Sequence, residues 1–453
     1  MKKKKRRGIS IGTVVMLLLT VITLGLSLRF IPLIAGQTAL KLNDAQSIVS
    51  AITENLSLPE LTLSDIPIFQ TASQQEEKAS PAPTFGQISS AEETPTPAPS
   101  LEPTPTPLPQ KRSFSLTAAG AFAVDRTIAS SCYYKESETY DFSPLLNHIA
   151  DAVSGDLKVF TFENLIVEGQ KLSDLNAPPE LMDAVKEAGF DLAFLGTEKA
   201  MNLGLDGLGQ TMNALKGQGF SVAGAYETAE DAGKAVLMDI NGVQVAVLHY
   251  TETIGDTSKA RIKKENAAFA LPVIQAEAIA SDIAAARGQG AQVVIVSAHW
   301  GNANTHTPTK AQLATAQRIA DAGADVILGA HSQAVQPIVY LTGHRADGSE
   351  KQTLVAYSLG ALMTSLRESV NIASVLLHVN ISYNPVTQAV AFEEVSYSPV
   401  YFWRHKDDGR TVYDAVLSAK EPPENMAQDQ ITVMERALKR VNDTLKDSVA
   451  VQR

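Results

Sequence analysis

Val293-Val294-Ile295-Val296-Ser297-Ala298-His299-Trp300-Gly301 and Asp325-Val326-Ile327-Leu328-Gly329-Ala330-His331 decide the fold. Each carries a short apolar run that ends at a histidine beside glycine, and Thr309–Ala322 between them has helical spacing. Uninterrupted apolar runs of this length read as strands buried on both faces, the habit of parallel sheets flanked by helices. In open α/β sheets ligands gather beyond the carboxyl ends of the strands. The two histidines, about 30 residues apart, therefore stand where chemistry would sit.

Working outward, the same texture begins at Ser113. Phe114–Ala119, Val159–Phe162, Leu192–Leu195 and Val245–Tyr250 read as further buried strands. Pro179–Ala188, Gly207–Lys216 and Val273–Arg287 read as helices between them. Asn241-Gly242, between Val236–Ile240 and Val243–Leu248, is the signal of a type I′ hairpin. Thr353–Ser358, Ser374–Ser382 and Ala389–Ser396 alternate without intervening helices, which suggests a second sheet. The fold class expected is α/β, a two-sheet sandwich flanked by helices over residues 113–418. A terminal helix, roughly Ala427–Val449, follows within 419–453. No internal repeat is visible.

Composition narrows the class. The 453 residues are 45% hydrophobic and 19% charged, too apolar for a disordered chain, and Cys132 is the only cysteine, so no disulfide framework exists. The net charge of −11 argues against a nucleic-acid binder, yet it is unevenly spread. Six cations occupy residues 2–7, leaving 32 basic against 49 acidic side chains and a charge of −17 on the remainder. Gly8–Leu28 then runs 21 residues without a charge, about 31 Å as a helix. This reads as a transmembrane anchor over 8–28, with 1–7 held in the cytoplasm and everything after Arg29 outside. Small residues near Ala35-Gly36 leave cleavage open as an alternative. Within 29–112, nine of the 29 residues from Pro81 to Pro109 are proline, the mark of an extended, disordered Pro/Thr-rich stalk.

The strand ends carry a family resemblance. Phe114–Arg126, Glu163-Asn164-Leu165-Ile166, Leu195–Gly204, Val293–Gly301 with Pro308 and Gln312, Ala322–His331 with Gln336-Pro337-Ile338, and Tyr357-Ser358-Leu359-Gly360 fall in order along the domain. Together they resemble the capsule-synthesis protein CapA family, whose domain looks like a calcineurin-type metallophosphoesterase. Several positions depart from the family's pattern. Its opening aspartate is Ala121, the glutamate of its NLE segment is Ile166, and its NNH triplet is Thr197-Glu198-Lys199 with Asn202 for the following aspartate. Ala303, Gln333 and Ala361 stand for an acidic residue, the second histidine of HPH and the asparagine of GNF. His299 and His331 survive as metal-ligand types, weak or vestigial, with Asn164, Glu198, Lys199 and Gln333 as candidate ligand-binding side chains. No catalytic residue is assigned.

A two-metal site needs anionic ligands around each ion, and Ala121 and Ile166 have no donor atoms. The resemblance thus implies a membrane-anchored, extracytoplasmic protein in synthesis, export or anchoring of an anionic capsule polymer of the poly-γ-glutamate type, without catalysis and without cofactor. Its expected partners are the bacterial inner or cytoplasmic membrane, the polymer and other capsule-synthesis membrane proteins. One alternative is a phosphoesterase or amide hydrolase using Mn, Fe or Zn in a rebuilt ligand set. Another is a module that senses cell-wall fragments. Ser258–Lys264 is expected to be a solvated basic loop, and Gly204–Gly209 a turn and helix start rather than a phosphate cradle. His306, His344 and His405 are expected at the surface, and Tyr401–Arg404 in a strand, packed.

Overall fold

The computed structural model describes residues 110–345 and 347–453. The expected basic segment, anchor and nearly all of the stalk lie outside the described residues. Among the described residues no helix is long and apolar enough to cross a membrane.

The chain opens with β1 (Arg112–Phe122), the short helix α1 (Arg126–Ser131), a small hairpin β2–β3 (Tyr133–Tyr134 and Thr139–Tyr140) and β4 (Leu157–Phe162). Helix α2 (Glu180–Glu187), β5 (Leu192–Phe194), α3 (Gly204–Gly217) and β6 (Ser221–Ala223) complete a parallel run. Then come β7 (Val236–Ile240), β8 (Val243–Thr251), α4 (Asp256–Glu265), α5 (Ala276–Gly288), β9 (Val293–His299), α6 (Lys310–Asp321) and β10 (Val326–Ala330). The rest is β11 (Ile338–His344), β12 (Glu350–Ala356), β13 (Ala361–Met363), β14 (Ala373–Asn384), β15 (Ala389–Asp407), β16 (Arg410–Leu417), α7 (Gln428–Leu445) and β17 (Val451–Gln452).

Two sheets result. One runs β16-β15-β14-β1-β4-β5-β6, with β13 on β1 and β17 on β15; the other runs β11-β12-β10-β9-β8-β7. Alternation along the strands divides the apolar side chains into three layers. Phe114, Leu116 and Ala118 of β1 join Val245, Val247, Ile295, Val326 and Leu328 in one buried cluster between the sheets. Phe122, Phe160 and Phe162 face α2 and α3 instead, while Leu248, Val294 and Val296 face Ile279 and Ile283 of α5 and Ile319 of α6. The sandwich therefore has helices on both outer faces. Met434, Ala437, Val441 and Leu445 of α7 belong to the middle layer.

The expected hairpin forms at Asn241-Gly242, where both residues take positive φ, 52° and 78°, as its turn requires. The late strands do not form a sheet of their own. β14, β15 and β16 extend the first sheet beside β1, and β12 inserts between β10 and β11 of the second. Register explains why: β14 pairs antiparallel with β1 over Arg112–Ala118, covering an edge the first half of the chain leaves open. Ser258–Lys264 is helical rather than a loop, as part of α4. His405 stacks on Trp403 with centroids 3.6 Å apart, and His306 donates from Nδ1 to the Val335 carbonyl at 2.7 Å, so both are half-buried rather than at the surface as expected.

One buried charge cluster locks the second sheet. Asp325 accepts from the Val294 amide at 2.7 Å, from Arg287 at 2.6 Å and from Lys351 at 2.6 Å. Burial works to raise its carboxyl, but the Arg287 and Lys351 charges outweigh that and hold it below the usual carboxylate range. A depressed carboxylate contributes stability that is present above its unfolded pKa and lost as pH falls through its folded one. Asp325→Asn leaves Lys351 buried without a counter-charge and is expected to cost about 3–5 kcal/mol at neutral pH by urea unfolding. The deficit should shrink below about pH 4, where the carboxyl of the unfolded chain begins to take up a proton that the native one still refuses; a deficit constant from pH 7 to pH 3 would contradict this.

Candidate functional site

Five parallel strands, β4 and β5 from the first sheet and β8, β9 and β10 from the second, bring their carboxyl ends to one place. His299 is the last residue of β9 and only 1% exposed. His331 follows β10 directly, and the two imidazole centroids are 4.6 Å apart, edge to face. Glu163 follows β4, with Oε1 3.5 Å from His299 Nε2. Glu198 and Lys199 follow β5 and stand 3.9 Å apart at the rim, 30% and 50% exposed in their side chains. Glu252 follows β8 and accepts from the Gly301 amide at 2.7 Å.

The loops that carry these groups are tightly braced. Trp300 is buried and donates from Nε1 to the Tyr357 carbonyl at 3.0 Å. Thr309 and Gln312 form a capping box at the start of α6, and Gln312 Nε2 donates to Gln336 Oε1 at 3.0 Å. Gln336 Nε2 in turn donates to the Thr305 carbonyl at 3.0 Å, tying the segment after His299 to the segment after His331. A Cβ at Gly301, whose φ is +81°, would collide with the Gln312 amide. His331 sits at φ +86°, a costly conformation for a residue with a Cβ, and the hydrogen bond from the Asn304 amide to the Ser332 carbonyl at 2.7 Å helps hold that loop.

The electrostatics are lopsided. Neither ring nitrogen of His299 has a hydrogen-bond partner, nor has Glu163 Oε1, although all three atoms are buried. Unpaired buried polar atoms are costly, so such a set marks a site rather than a packing detail. Burial works to raise the Glu163 carboxyl, but His299, with His331 and Lys199 beyond it, holds it below the ordinary range. Burial and then the neighbouring His299 push the His331 imidazole down, against the pull of Glu198, Glu163 and Glu252. Three carboxylates and one lysine thus surround two imidazoles.

The structure brings the candidate residues His299, His331, Glu198 and Lys199 to one cleft and adds Glu163 and Glu252, to which the sequence assigned no role. The signal was present, a carboxylate directly after a buried strand; Glu163 opens the Glu163-Asn164-Leu165-Ile166 segment, but the family pattern gives that position no role, and Glu252 lies in no motif. Asn164 turns away from a ligand role. Its Oδ1 accepts from the Val124 amide at 2.8 Å, and its Nδ2 donates to the carbonyls of Val124 at 2.7 Å and Leu175 at 3.3 Å. It clamps the loops after β1 and β4. Gln333, at φ +52°, is held by its backbone, whose carbonyl accepts from Asn371 at 3.0 Å; its side-chain amide makes no hydrogen bond among the described residues. His249 was also missed. It lies between Ser297 Oγ and the Gly196 carbonyl, each at 2.9 Å, and burial above all pushes its pKa down to about 3, so it is a neutral strut. Gly196 and Gly224 are glycine because a Cβ at either would strike its ring.

The residues present do not fit a two-metal centre. Ala121 and Ile166 are buried, apolar and without donor atoms, and the Asn164 amide is already bonded. Among the described residues no group of three or more His, Cys, Asp or Glu side chains is arranged to hold a metal ion.

A two-sheet sandwich with outer helices and a polar cleft at its strand ends is the class that fold and site define. Residues 115–365, more than half of the chain, match the family described as bacterial capsule synthesis protein PGA_cap, and the chain belongs to that family. It is 30% identical over 222 residues to the capsule biosynthesis protein CapA of Bacillus anthracis, which is 48% of this chain and 51% of that protein. It is 28% identical over 213 residues to the PGA biosynthesis protein CapA of Bacillus subtilis strain 168, 47% of this chain and 52% of that one. The chain spans about half the length of these curated relatives. Among solved structures it is similar to a calcineurin-like phosphoesterase of Bacillus subtilis, with a TM-score of 0.38 and 14% identity over 74% of this chain and all of that one. A 5′-nucleotidase precursor of Thermus thermophilus has a TM-score of 0.38 and 13% identity, covering 73% of this chain and 58% of that one.

Removing one of two buried polar neighbours leaves the other without compensation at a cost of about 1–3 kcal/mol, whereas replacing both by apolar side chains is commonly neutral or stabilising. The double variant Glu163→Leu/His299→Leu is therefore expected to unfold at or above the wild-type midpoint, and Glu163→Leu alone below it. A double variant that loses more than about 2 kcal/mol would show that the pair serves the fold rather than a ligand.

Proposed function

We propose that this chain works in the synthesis, export or anchoring of an anionic capsule polymer of the poly-γ-glutamate type, and that it holds polymer rather than hydrolysing it. In this proposal Gly8–Leu28 anchors it in the cell membrane and the Pro-rich segment spaces the domain on the outer side. The observation that carries the non-catalytic reading is the pair of buried apolar side chains, Ala121 and Ile166, at positions where the family pattern has metal-ligand types.

Polymer would approach along a basic rim. Helix α4 is docked on the cleft: the Gly255 amide donates to the Glu198 carbonyl at 2.9 Å, and Ser258 Oγ donates to Asn202 at 2.8 Å. It is polar almost all round, with Ser258 its one buried residue. Lys263 and Lys264, in the last turn of α4, are exposed and have no ion-pair partner among the described residues, and Lys199 stands half-exposed beside Glu198, to which the start of α4 is tied. In a chain of net charge −11 these local cations are what a polycarboxylate would find.

A second reading, a metal-dependent phosphoesterase or amide hydrolase with a rebuilt ligand set, is favoured by one observation, the unpartnered nitrogens of His299 beside the unpartnered Glu163 oxygen. One experiment on the full-length protein in detergent separates the two. Metal analysis is expected to find well under one Mn, Fe or Zn per chain, and poly-γ-glutamate is expected to bind in a salt-sensitive manner. Lys199→Ala combined with Lys263→Ala and Lys264→Ala should weaken that binding several-fold. One or two metals per chain, lost in His299→Ala, would overturn the non-catalytic reading; binding that ignores the lysine substitutions would overturn the basic rim.

A further inference from the structure

A second cleft, of about 680 Å³, meets the strand-end site at Ile166, and none of Glu163, Glu198, Lys199, Glu252, His299 and His331 lines it. Its walls are the β2–β3 hairpin, the segment from Ile166 to Glu180, and one side of α3. The volume is in the range of small-ligand clefts. Its framework is internally bonded: Asn176 Oδ1 accepts from the Val167 amide at 2.9 Å and Gln210 Oε1 from the Glu168 amide at 3.2 Å. Three groups on its lining are left over. Tyr140 lines the cleft, its ring braced by Tyr133, tilted at 51° with centroids 5.0 Å apart, and by Phe142 at 6.0 Å, and its hydroxyl makes no hydrogen bond among the described residues. The Asn213 amide likewise makes none. Glu180 Oε2 is buried without a partner, which is the anomaly: a carboxylate oxygen taken out of water with nothing donating to it.

Charge then selects the ligand. Glu138, Glu168 and Glu180 line the cleft and no lysine or arginine does. An anionic polymer is repelled from such a lining, so the capsule polymer proposed above is not its occupant. An aromatic face beside a row of carboxylates and an amide suits a sugar ring that carries a protonated amine. The ring's C–H face lies on Tyr140, and the ammonium pairs with the Glu180 carboxylate on the lining.

We propose that this cleft binds a glycan of amino sugars with free amines, through the Tyr140 ring and the Glu180 carboxylate. It would give the protein a hold on a wall glycan separate from its hold on the capsule polymer, and it does not depend on whether the strand-end site binds that polymer.

The test is titration calorimetry of the full-length protein in detergent with glucosamine tetramer, N-acetylglucosamine tetramer and cellotetraose. The glucosamine tetramer is expected to bind at least tenfold more tightly than cellotetraose. Glu180→Gln and Tyr140→Ala should each lose at least tenfold, while Tyr140→Phe keeps most of the affinity and all three melt with the wild type. No binding of the glucosamine tetramer, binding confined to the N-acetylated tetramer or equal for all three sugars, or affinity unchanged in Glu180→Gln, would overturn it. A Tyr140→Ala variant that fails to fold leaves Glu180→Gln and Tyr140→Phe to decide.

Discussion

Both sheets of this protein are buried on both faces, and that constraint places everything else. One apolar layer lies between them and another lies under the helices on each side. Polar side chains can gather at low cost only where strands end and loops begin. The strands that run parallel, β4 and β5 in one sheet and β8, β9 and β10 in the other, end on the same side, so their exits share one cleft. His249 shows the rule from within: it is a polar group in the middle of the sandwich, tolerated because both its nitrogens are bonded and it stays neutral. His299, a strand-end residue equally buried, has neither nitrogen bonded. The contrast between the two imidazoles separates structure from function here.

Much of this was legible in the sequence because strands buried on both faces leave long apolar words. Val293–Ala298 and Val326–Leu328 fall inside β9 and β10, and Asn241-Gly242 makes the turn its residues demand. What the words do not encode is allegiance. Ser374–Ser382 reads as a strand, but its pairing with β1 depends on an edge created far earlier in the chain. Helix α4 was obscured because a segment with one buried residue has no apolar period to read; it is a helix by virtue of its ties to Glu198 and Asn202.

The site was half legible for a related reason. Histidine beside glycine after a strand is a conspicuous pattern, and the rings of His299 and His331 do meet. A lone glutamate after a strand is not conspicuous, and Glu163 acquires meaning only when its oxygen is found unpartnered next to His299. Asn164 carried the opposite error: its family position suggested a ligand, and its three hydrogen bonds bind loops instead. The cleft keeps two imidazoles and the bracing by Gln312 and Gln336, while Ala121 and Ile166 are buried side chains without donor atoms.

The central proposal is that polymer binds at the rim of the cleft that holds His299 and His331, and that no metal ion sits between them. Nitrogen-15 spectra of the histidine side chains in the full-length protein address it directly. Chelation with EDTA should leave both imidazole signals in place, and a γ-glutamate oligomer should shift them. Signals that move on chelation and return with added Mn or Zn, while ignoring the oligomer, would contradict the account.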